Sequence, residues 1–287
     1  MLDHPDMLGA MWSNIAGSQD ALRPDFSEIY RASFWDSRDI TYVCDGFRHR
    51  KATDSKLYTY DYEFAIHPEF REAIAPLYPL GFPVGVPDWE HLGGDSTPLD
   101  DTPHLSTLLR RRADDVFSFP LFSEEFCDLL LEELLEVNEW RFSAGDNYPA
   151  PEIGLMDIGL DLGMLVSCYL NQTWRLVSAY LWDFFYCQDY RDIFVIKYDK
   201  DLQDSLAKKE HSSLEFHHDV RPVSLTCSLN DGYSGGGMEW KRQERILSSE
   251  DLPKGHAVTF PGRVTHMHRG VPVTEGTRYS FVAWSGN

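Results

Sequence analysis

Eleven histidines are scattered along the 287 residues, and four of them stand in two tight groups, His217-His218-Asp219 and His266-Met267-His268. Alone, an H-x-D triplet says little, because a chain this rich in acids produces one by chance. The two groups together say more. Two neutral imidazoles and one carboxylate form a facial triad that holds Fe(II) and leaves the opposite half of the coordination sphere open to small molecules. His217 and Asp219 could supply two such ligands, with the side chain of His218 between them pointing away. Spacing permits either His266 or His268 as the third, since residues two apart on an extended segment share a face. Ten positions past His268 comes Arg278-Tyr279-Ser280. A guanidinium there can hold the far carboxylate of a dicarboxylic cosubstrate through a bidentate, charge-assisted pair.

Such side chains need strands to aim them. In RYSFVAW, alternation puts Arg278, Ser280, Val282 and Trp284 on one face and Tyr279, Phe281 and Ala283 on the other. Ser280 can thus offer its hydroxyl to the carboxylate that Arg278 holds. In VSLTCSL, Val223, Leu225, Cys227 and Leu229 form one face and Ser224, Thr226 and Ser228 the other. A polar face inside a small barrel is costly unless it lines a wet or liganded cavity, so Thr226 and Ser228 are placed with Ser280 around the cosubstrate. Gly235-Gly236-Gly237 is read as a hairpin or bulge between strands, because no helix opening with Lys-Ser/Thr follows it. Glu215 and Arg221 flank the H-x-D segment as a solvated ion pair. His4, His49, His67, His91, His104, His211 and His256 have no partner at ligand spacing and are read as structural or exposed.

The wider pattern is helices first and strands afterwards. After the short apolar strand FSFP, Ser123 caps a helix with Glu124 and Glu125 in its first turn. Phe126, Leu130 and Leu134, with Leu131 and Leu135 beside them, give it an apolar stripe. A second helical stretch covers roughly 160–185. Then come DIFVIKY, VSLTCSL, GMEWKR, AVTFP and RYSFVAW, short strands at close spacing. The expected fold class is α+β, a double-stranded β-helix (jelly-roll) barrel backed by helices. Residues 1–112 are expected to be an N-terminal extension or supporting subdomain, with strand-like runs in FWDSRDITYVCDGF and KLYTYDYEFAI, a helical turn or two in HPEFREAIAPL, and a Pro/Gly-rich boundary or loop at 78–105. The barrel domain is expected at 113–287.

Composition narrows the partners. With 26 Lys+Arg against 46 Asp+Glu the formal net charge is -20, a field that repels phosphate backbones and anionic membrane surfaces. The five cysteines, Cys44, Cys127, Cys168, Cys187 and Cys227, are odd in number, far apart and without C-x-x-C spacing, as expected of buried thiols in a reducing compartment. The N-terminus has acids where a signal peptide has bases. The most apolar region is broken by Asp157, Asp161, Asn171, Gln172 and Arg175, too short for a membrane span. A cytoplasmic location without nucleic-acid or membrane partners is expected.

The segments DDVFSFPLFSEEFCDLLLEEL, FVIKY, FHHD, SGGGMEW and PKGHAVTFPGRVTHMHRGVPVTEGTRYSFVAW resemble the catalytic domain of the procollagen lysyl hydroxylases, within the prolyl 4-hydroxylase-like Fe(II)/2-oxoglutarate oxygenases. The resemblance covers roughly 113–287. It implies that His217, Asp219 and His268 bind iron, leaving His266 beside the site, that Arg278 anchors 2-oxoglutarate, and that Tyr198 lies close to that cosubstrate. It also implies a dioxygenase that uses Fe(II), 2-oxoglutarate and O2 to hydroxylate an unactivated C–H bond of an amino-acid-like substrate, a lysyl or similar side chain, free or in a peptide, releasing succinate and CO2. With no glycosyltransferase-like domain or signal peptide, a substrate other than collagen in a secretory lumen is expected. The net charge adds the expectation of a basic group on the substrate. The competing readings are a non-catalytic binding or scaffold protein on an inactivated barrel, and an oxygenase acting on an unrelated metabolite.

Overall fold

The computed structural model describes residues 52–75, 103–142, 151–182, 188–203 and 210–286. Its largest layer, among those residues, is a nine-stranded antiparallel sheet. In spatial order it holds β1 (Arg110–Ala113), β2 (Val116–Pro120), β11 (His256–Pro261), β7 (Val223–Ser228), β14 (Thr277–Ser285), β5 (Gln188–Gln203), β4 (Pro151–Gly154) and β3 (Arg141–Phe142), with β6 (Glu210–His211) on β5. Two smaller sheets complete the jelly roll: β10 (Arg245–Leu247), β9 (Met238–Trp240) and β12 (His268–Gly270), and the pair β8 (Ser234–Gly235) and β13 (Val273–Glu275).

Alternation sorts the large sheet into two faces, as the strand pattern requires. Leu225, Cys227, Phe281 and Ala283 pack outward into one core with the helices, while Val258 and Phe260 pack inward with Met238 and Trp240 of the small sheet. The outer core is built from α4 (Glu124–Val137), α6 (Leu160–Gln172) and α7 (Trp174–Trp182), with the single turn α5 (Leu155–Ile158) leading into α6. Phe122, Phe126 and Phe281 are fully buried there, each such side chain being worth about 1.5–3 kcal/mol of transfer free energy. Ser123 Oγ accepts from Phe126 N at 3.0 Å, the cap read from sequence. Leu135 departs from the expected stripe and is 46% exposed. It lies nine residues past Phe126, two and a half helical turns, and so faces the opposite way; Cys127 and Glu133 are buried instead.

Helix and sheet layers are also joined by polar bonds. Trp174 Nε1 donates to Thr259 Oγ1 at 2.8 Å, and Thr259 donates to the Ser224 carbonyl at 2.9 Å. No helix among the described residues is long and apolar enough to cross a membrane.

Within the N-terminal segment, residues 52–75 share the outer core, through Leu57, Tyr62, Ile66 and Phe70. KLYTYDYEFAI is not strand-like: Ser55–Tyr58 form a 3-10 turn and Tyr62–Ala65 the helix α1. Asp54 and Asp61 cap them, accepting from Lys56 N and Phe64 N, and two N-caps seven positions apart outweigh the β-preference of the tyrosines. HPEFREAIAPL contains the expected helix, α2 (Pro68–Ile74), and α3 (Pro103–Leu108) precedes β1. The segment is stitched to the barrel by His67 N to Leu121 O and Ser123 N to Ala65 O, both 2.9 Å. A buried carboxylate adds to this, Glu133 accepting from Tyr58 Oη at 2.6 Å and Thr53 N at 2.7 Å. FWDSRDITYVCDGF, Cys44, His4, His49, His91, Cys187 and most of the 78–105 boundary lie outside the described residues.

Candidate active site

His217 and His268 face each other across an isolated antiparallel bridge, each backbone N–H donating to the other's carbonyl at 2.9 Å. Asp219 lies two residues on, its N–H donating to Gly262 O at 3.0 Å. The three side chains converge, with their ligand atoms all within 4.8 Å of one another. His217 Nε2 is 3.6 Å from Asp219 Oδ1, and His268 Nε2 is 3.6 Å from Oδ2. Each ring's Nδ1 meets a backbone carbonyl, Glu215 O at 2.8 Å for His217 and His266 O at 2.9 Å for His268. A carbonyl only accepts, so each Nδ1 carries a proton and each Nε2 is the nitrogen turned toward the shared centre. Burial holds the His268 imidazole down at about 4, against the opposing pull of Asp219, so it is neutral and ready to ligate. Asp219 is 8% exposed, accepts from Ser224 Oγ, and has the two histidines as its ionic partners among the described residues. A buried carboxylate between imidazoles, one of them held neutral, lacks the positive charge that stabilises it. The donor set therefore fits a divalent cation such as Fe(II).

The triad lines one end of a cavity of about 330 Å³ between the large and small sheets. Its wall is the inner face of three neighbouring strands: Phe194, Ile196 and Tyr198 on β5, Arg278, Ser280, Val282 and Trp284 on β14, and Ser224 and Thr226 on β7. Arg278 sits opposite Tyr198, and its guanidinium lies 5.1 Å from the centre of that ring. It is 2% exposed. Nη1 donates to Gly237 O at 2.9 Å, but Nε has no hydrogen-bond partner and no carboxylate among the described residues pairs with the group. A fully buried guanidinium without a counter-ion is costly unless a bound anion completes it, and the carboxylate of 2-oxoglutarate fits that need. Burial pushes the Tyr198 phenol up to about 12, with Arg278 opposing. Thr226 Oγ1 and Ser280 Oγ are bonded at 2.7 Å beside it.

Not every expected residue comes to the cavity. Ser228 shares the face of Thr226 and stands opposite Ser280, but it lies one pleat further along β7 and does not line the cavity. His266 does not share a face with His268. Its Nε2 meets Asp114 O at 3.0 Å, because residues 263–266 form a turn, with Val264 at φ 47, rather than a strand. Arg221 pairs with Asp192 at 2.8 Å rather than with Glu215. His218 is exposed at the cavity rim. The glycine run bends through positive φ at Gly235, Gly236 and Gly237, bringing the Gly237 carbonyl onto Arg278, and a Cβ at Gly237 would collide with Leu247 O. The residues that sequence reasoning left unassigned are Ser224, which holds Asp219, and Glu152, Phe194 and Trp284 on the wall. Ser224 was legible on the polar face of β7, whereas nothing near Glu152 marks it.

No protein-family model matches the chain. It is 32% identical over 185 residues to a Caenorhabditis elegans multifunctional procollagen lysine hydroxylase and glycosyltransferase, covering 59% of this chain and 24% of that protein. To the Mus musculus procollagen-lysine,2-oxoglutarate 5-dioxygenase 2 it is 32% identical over 190 residues, 62% of this chain and 24% of the other. A mimivirus procollagen lysyl hydroxylase and glycosyltransferase is 31% identical over 183 residues, 60% of this chain and 19% of the other. The chain thus spans about a quarter or less of the length of these relatives. A Pseudomonas putida prolyl-4-hydroxylase structure superposes on 65% of this chain and 95% of its own at a TM-score of 0.45 and 15% identity, too loosely to add to the strand topology. Over the matched stretch, the chain is a homologue of the procollagen lysine hydroxylases.

Proposed function

We propose that the protein is an Fe(II)- and 2-oxoglutarate-dependent dioxygenase that hydroxylates an unactivated C–H bond of a lysyl or similar amino-acid side chain, free or within a peptide. The observation that carries this reading is the pairing, in one cavity, of the His217–Asp219–His268 cluster with a buried Arg278 that pairs with no carboxylate among the described residues.

When bound, iron with 2-oxoglutarate and dioxygen supplies the oxidising power, the cosubstrate being converted to succinate and CO2 as one oxygen atom is placed on the substrate. His217, Asp219 and His268 hold the metal. Arg278 would hold the far carboxylate of the cosubstrate. Ser280 and Thr226 offer hydroxyls beside that carboxylate, and Tyr198 remains a neutral phenol that does not compete with it for the guanidinium. Phe194, Val282, Met238 and Trp284 line the cavity with apolar surface and exclude water. The lysyl preference is supported by the names of the relatives. Cys127, Cys168 and Cys227 are buried free thiols, which supports a cytoplasmic, reducing setting.

The test supplies Fe(II), ascorbate and 2-oxoglutarate to the full chain, with free lysine and with lysine-containing peptides. Succinate release matched by a product heavier by one oxygen is expected. Succinate formation that does not depend on iron, or none with any candidate while 2-oxoglutarate fails to bind, overturns the reading.

A further inference from the structure

Asp219 brings two oxygens to the shared centre, and their distances to the imidazoles do not choose between them. Oδ1 lies 3.6 Å from His217 Nε2, and Oδ2 lies 3.6 Å from His268 Nε2. Ser224 breaks that symmetry. Its hydroxyl donates to Oδ2, while no hydrogen bond among the described residues reaches Oδ1. Oδ2 thus gives one of its lone pairs to Ser224, and Oδ1 keeps both for a cation.

Ser224 is itself held from two layers. Its carbonyl accepts from Thr259 Oγ1 at 2.9 Å, and Thr259 Oγ1 accepts from Trp174 Nε1 of α7 at 2.8 Å. On the other side the chain crosses close by at Gly262, where a Cβ would collide with Ser224 Oγ and with Arg221 O. The Gly262 carbonyl also accepts from Asp219 N at 3.0 Å. Ser224, Thr259 and Trp174 are all buried, so the Ser224 proton has no water to turn to and stays on the carboxylate. We propose that Ser224 is a positioning residue that makes Asp219 a one-oxygen metal ligand, through Oδ1, and so keeps the half of the coordination sphere opposite the triad open. Without the hydroxyl, the carboxylate grips the cation with both oxygens and closes one of those positions. The inference rests on the triad as a metal site, and hence on the dioxygenase reading, but its measurement needs no turnover.

The test loads the full chain with Mn(II) alone and follows water-proton relaxation, which counts the exchanging waters on the bound ion. On six-coordinate manganese the wild-type chain should show about three waters and Ser224→Ala about two, a fall of about a third in the relaxation enhancement. Affinity in Ser224→Ala should fall by less than the roughly 10–100-fold usual when a metal ligand loses its supporting hydrogen bond, because the second oxygen replaces it. Ser224→Thr keeps the hydroxyl and should keep the wild-type enhancement; a fall there equal to that of alanine would trace the change to packing against Gly262 and overturn the hydroxyl's role. A Ser224→Ala chain with the wild-type enhancement, or with metal binding weakened more than about 100-fold, overturns the proposal alone. A wild-type chain that binds manganese with about two waters also does so. A wild-type chain that binds no manganese overturns the dioxygenase reading and the proposal together.

Discussion

His217 and His268 are bonded to each other through their backbones, N–H to carbonyl in both directions at 2.9 Å, and their ring centroids lie 4.5 Å apart. One bridge therefore sets two of the three side chains that would hold a metal, and the Gly262 carbonyl and Ser224 hydroxyl set the third. Preorganisation of this kind removes ordering cost from ligand binding.

Because the bridge is made by backbone atoms, removing a ligand side chain leaves it in place. His217→Ala, Asp219→Ala and His268→Ala should each weaken Fe(II) or Mn(II) binding by about 100-fold or more, with the far-ultraviolet spectrum retained. His266→Ala should leave metal binding measurable, since its ring meets Asp114. Calorimetric titration with metal decides it. Undiminished affinity in one of the triad variants removes that residue from the site.

Arg278 tests the cosubstrate end. Arg278→Lys keeps the charge but loses the planar fork, so the 2-oxoglutarate concentration needed for half-maximal turnover should rise about tenfold or more, in line with roughly 1.5–3 kcal/mol for a charged hydrogen bond. An unchanged requirement in Arg278→Ala moves the anchor to another cation.

Glu133 tests how the N-terminal segment is held. Its carboxylate is buried and receives both the Tyr58 hydroxyl and the Thr53 amide. Glu133→Ala removes both acceptors at once and should cost about 2–4 kcal/mol of stability, read as a lowered urea midpoint with an unchanged slope. A loss under about 0.5 kcal/mol would show that the clasp adds little to the shared core.

The barrel and the faces of its strands were legible because they depend on local rules, whereas the choice of His268 over His266 to cluster with His217 and Asp219 came from the resemblance. Two-residue alternation placed Arg278, Ser280, Val282 and Trp284 on one wall, and the same rule split β7 correctly into a core face and a polar face. The rule failed where the chain leaves the strand. His266 turns away because 263–266 is a turn, and Ser228 misses the cavity because alternation gives a face but not how far the cavity extends along it. Asp54 and Asp61 turned aromatic-rich runs into helical turns, a case of capping outweighing propensity. Arg221 found Asp192 through folding, across 29 positions of sequence that no local pattern bridges. Glu152 reaches the wall through the β4–β5 register alone.

Val264 is 83% exposed and held at φ 47 in the turn before His268. A β-branched residue in that left-handed region costs about 1–2 kcal/mol, of which glycine's greater freedom in the unfolded chain offsets about 0.5–1 kcal/mol. Val264→Gly should therefore leave stability unchanged or raise it by up to about 1.5 kcal/mol, measured by urea unfolding. A clear loss would show that the valine makes a contact worth more than its strain.

The central claim is that one cavity couples iron to 2-oxoglutarate, and the stoichiometry of turnover tests it most directly. The full chain, freed of metal and reloaded with Fe(II), is given isotopically labelled 2-oxoglutarate and a lysine-containing peptide under oxygen, and succinate, CO2 and hydroxylated product are counted together. The account predicts equal amounts of all three, lost on metal removal and in His268→Ala. Hydroxylated product formed without matching succinate, or succinate formed equally well by the metal-free chain, would contradict it.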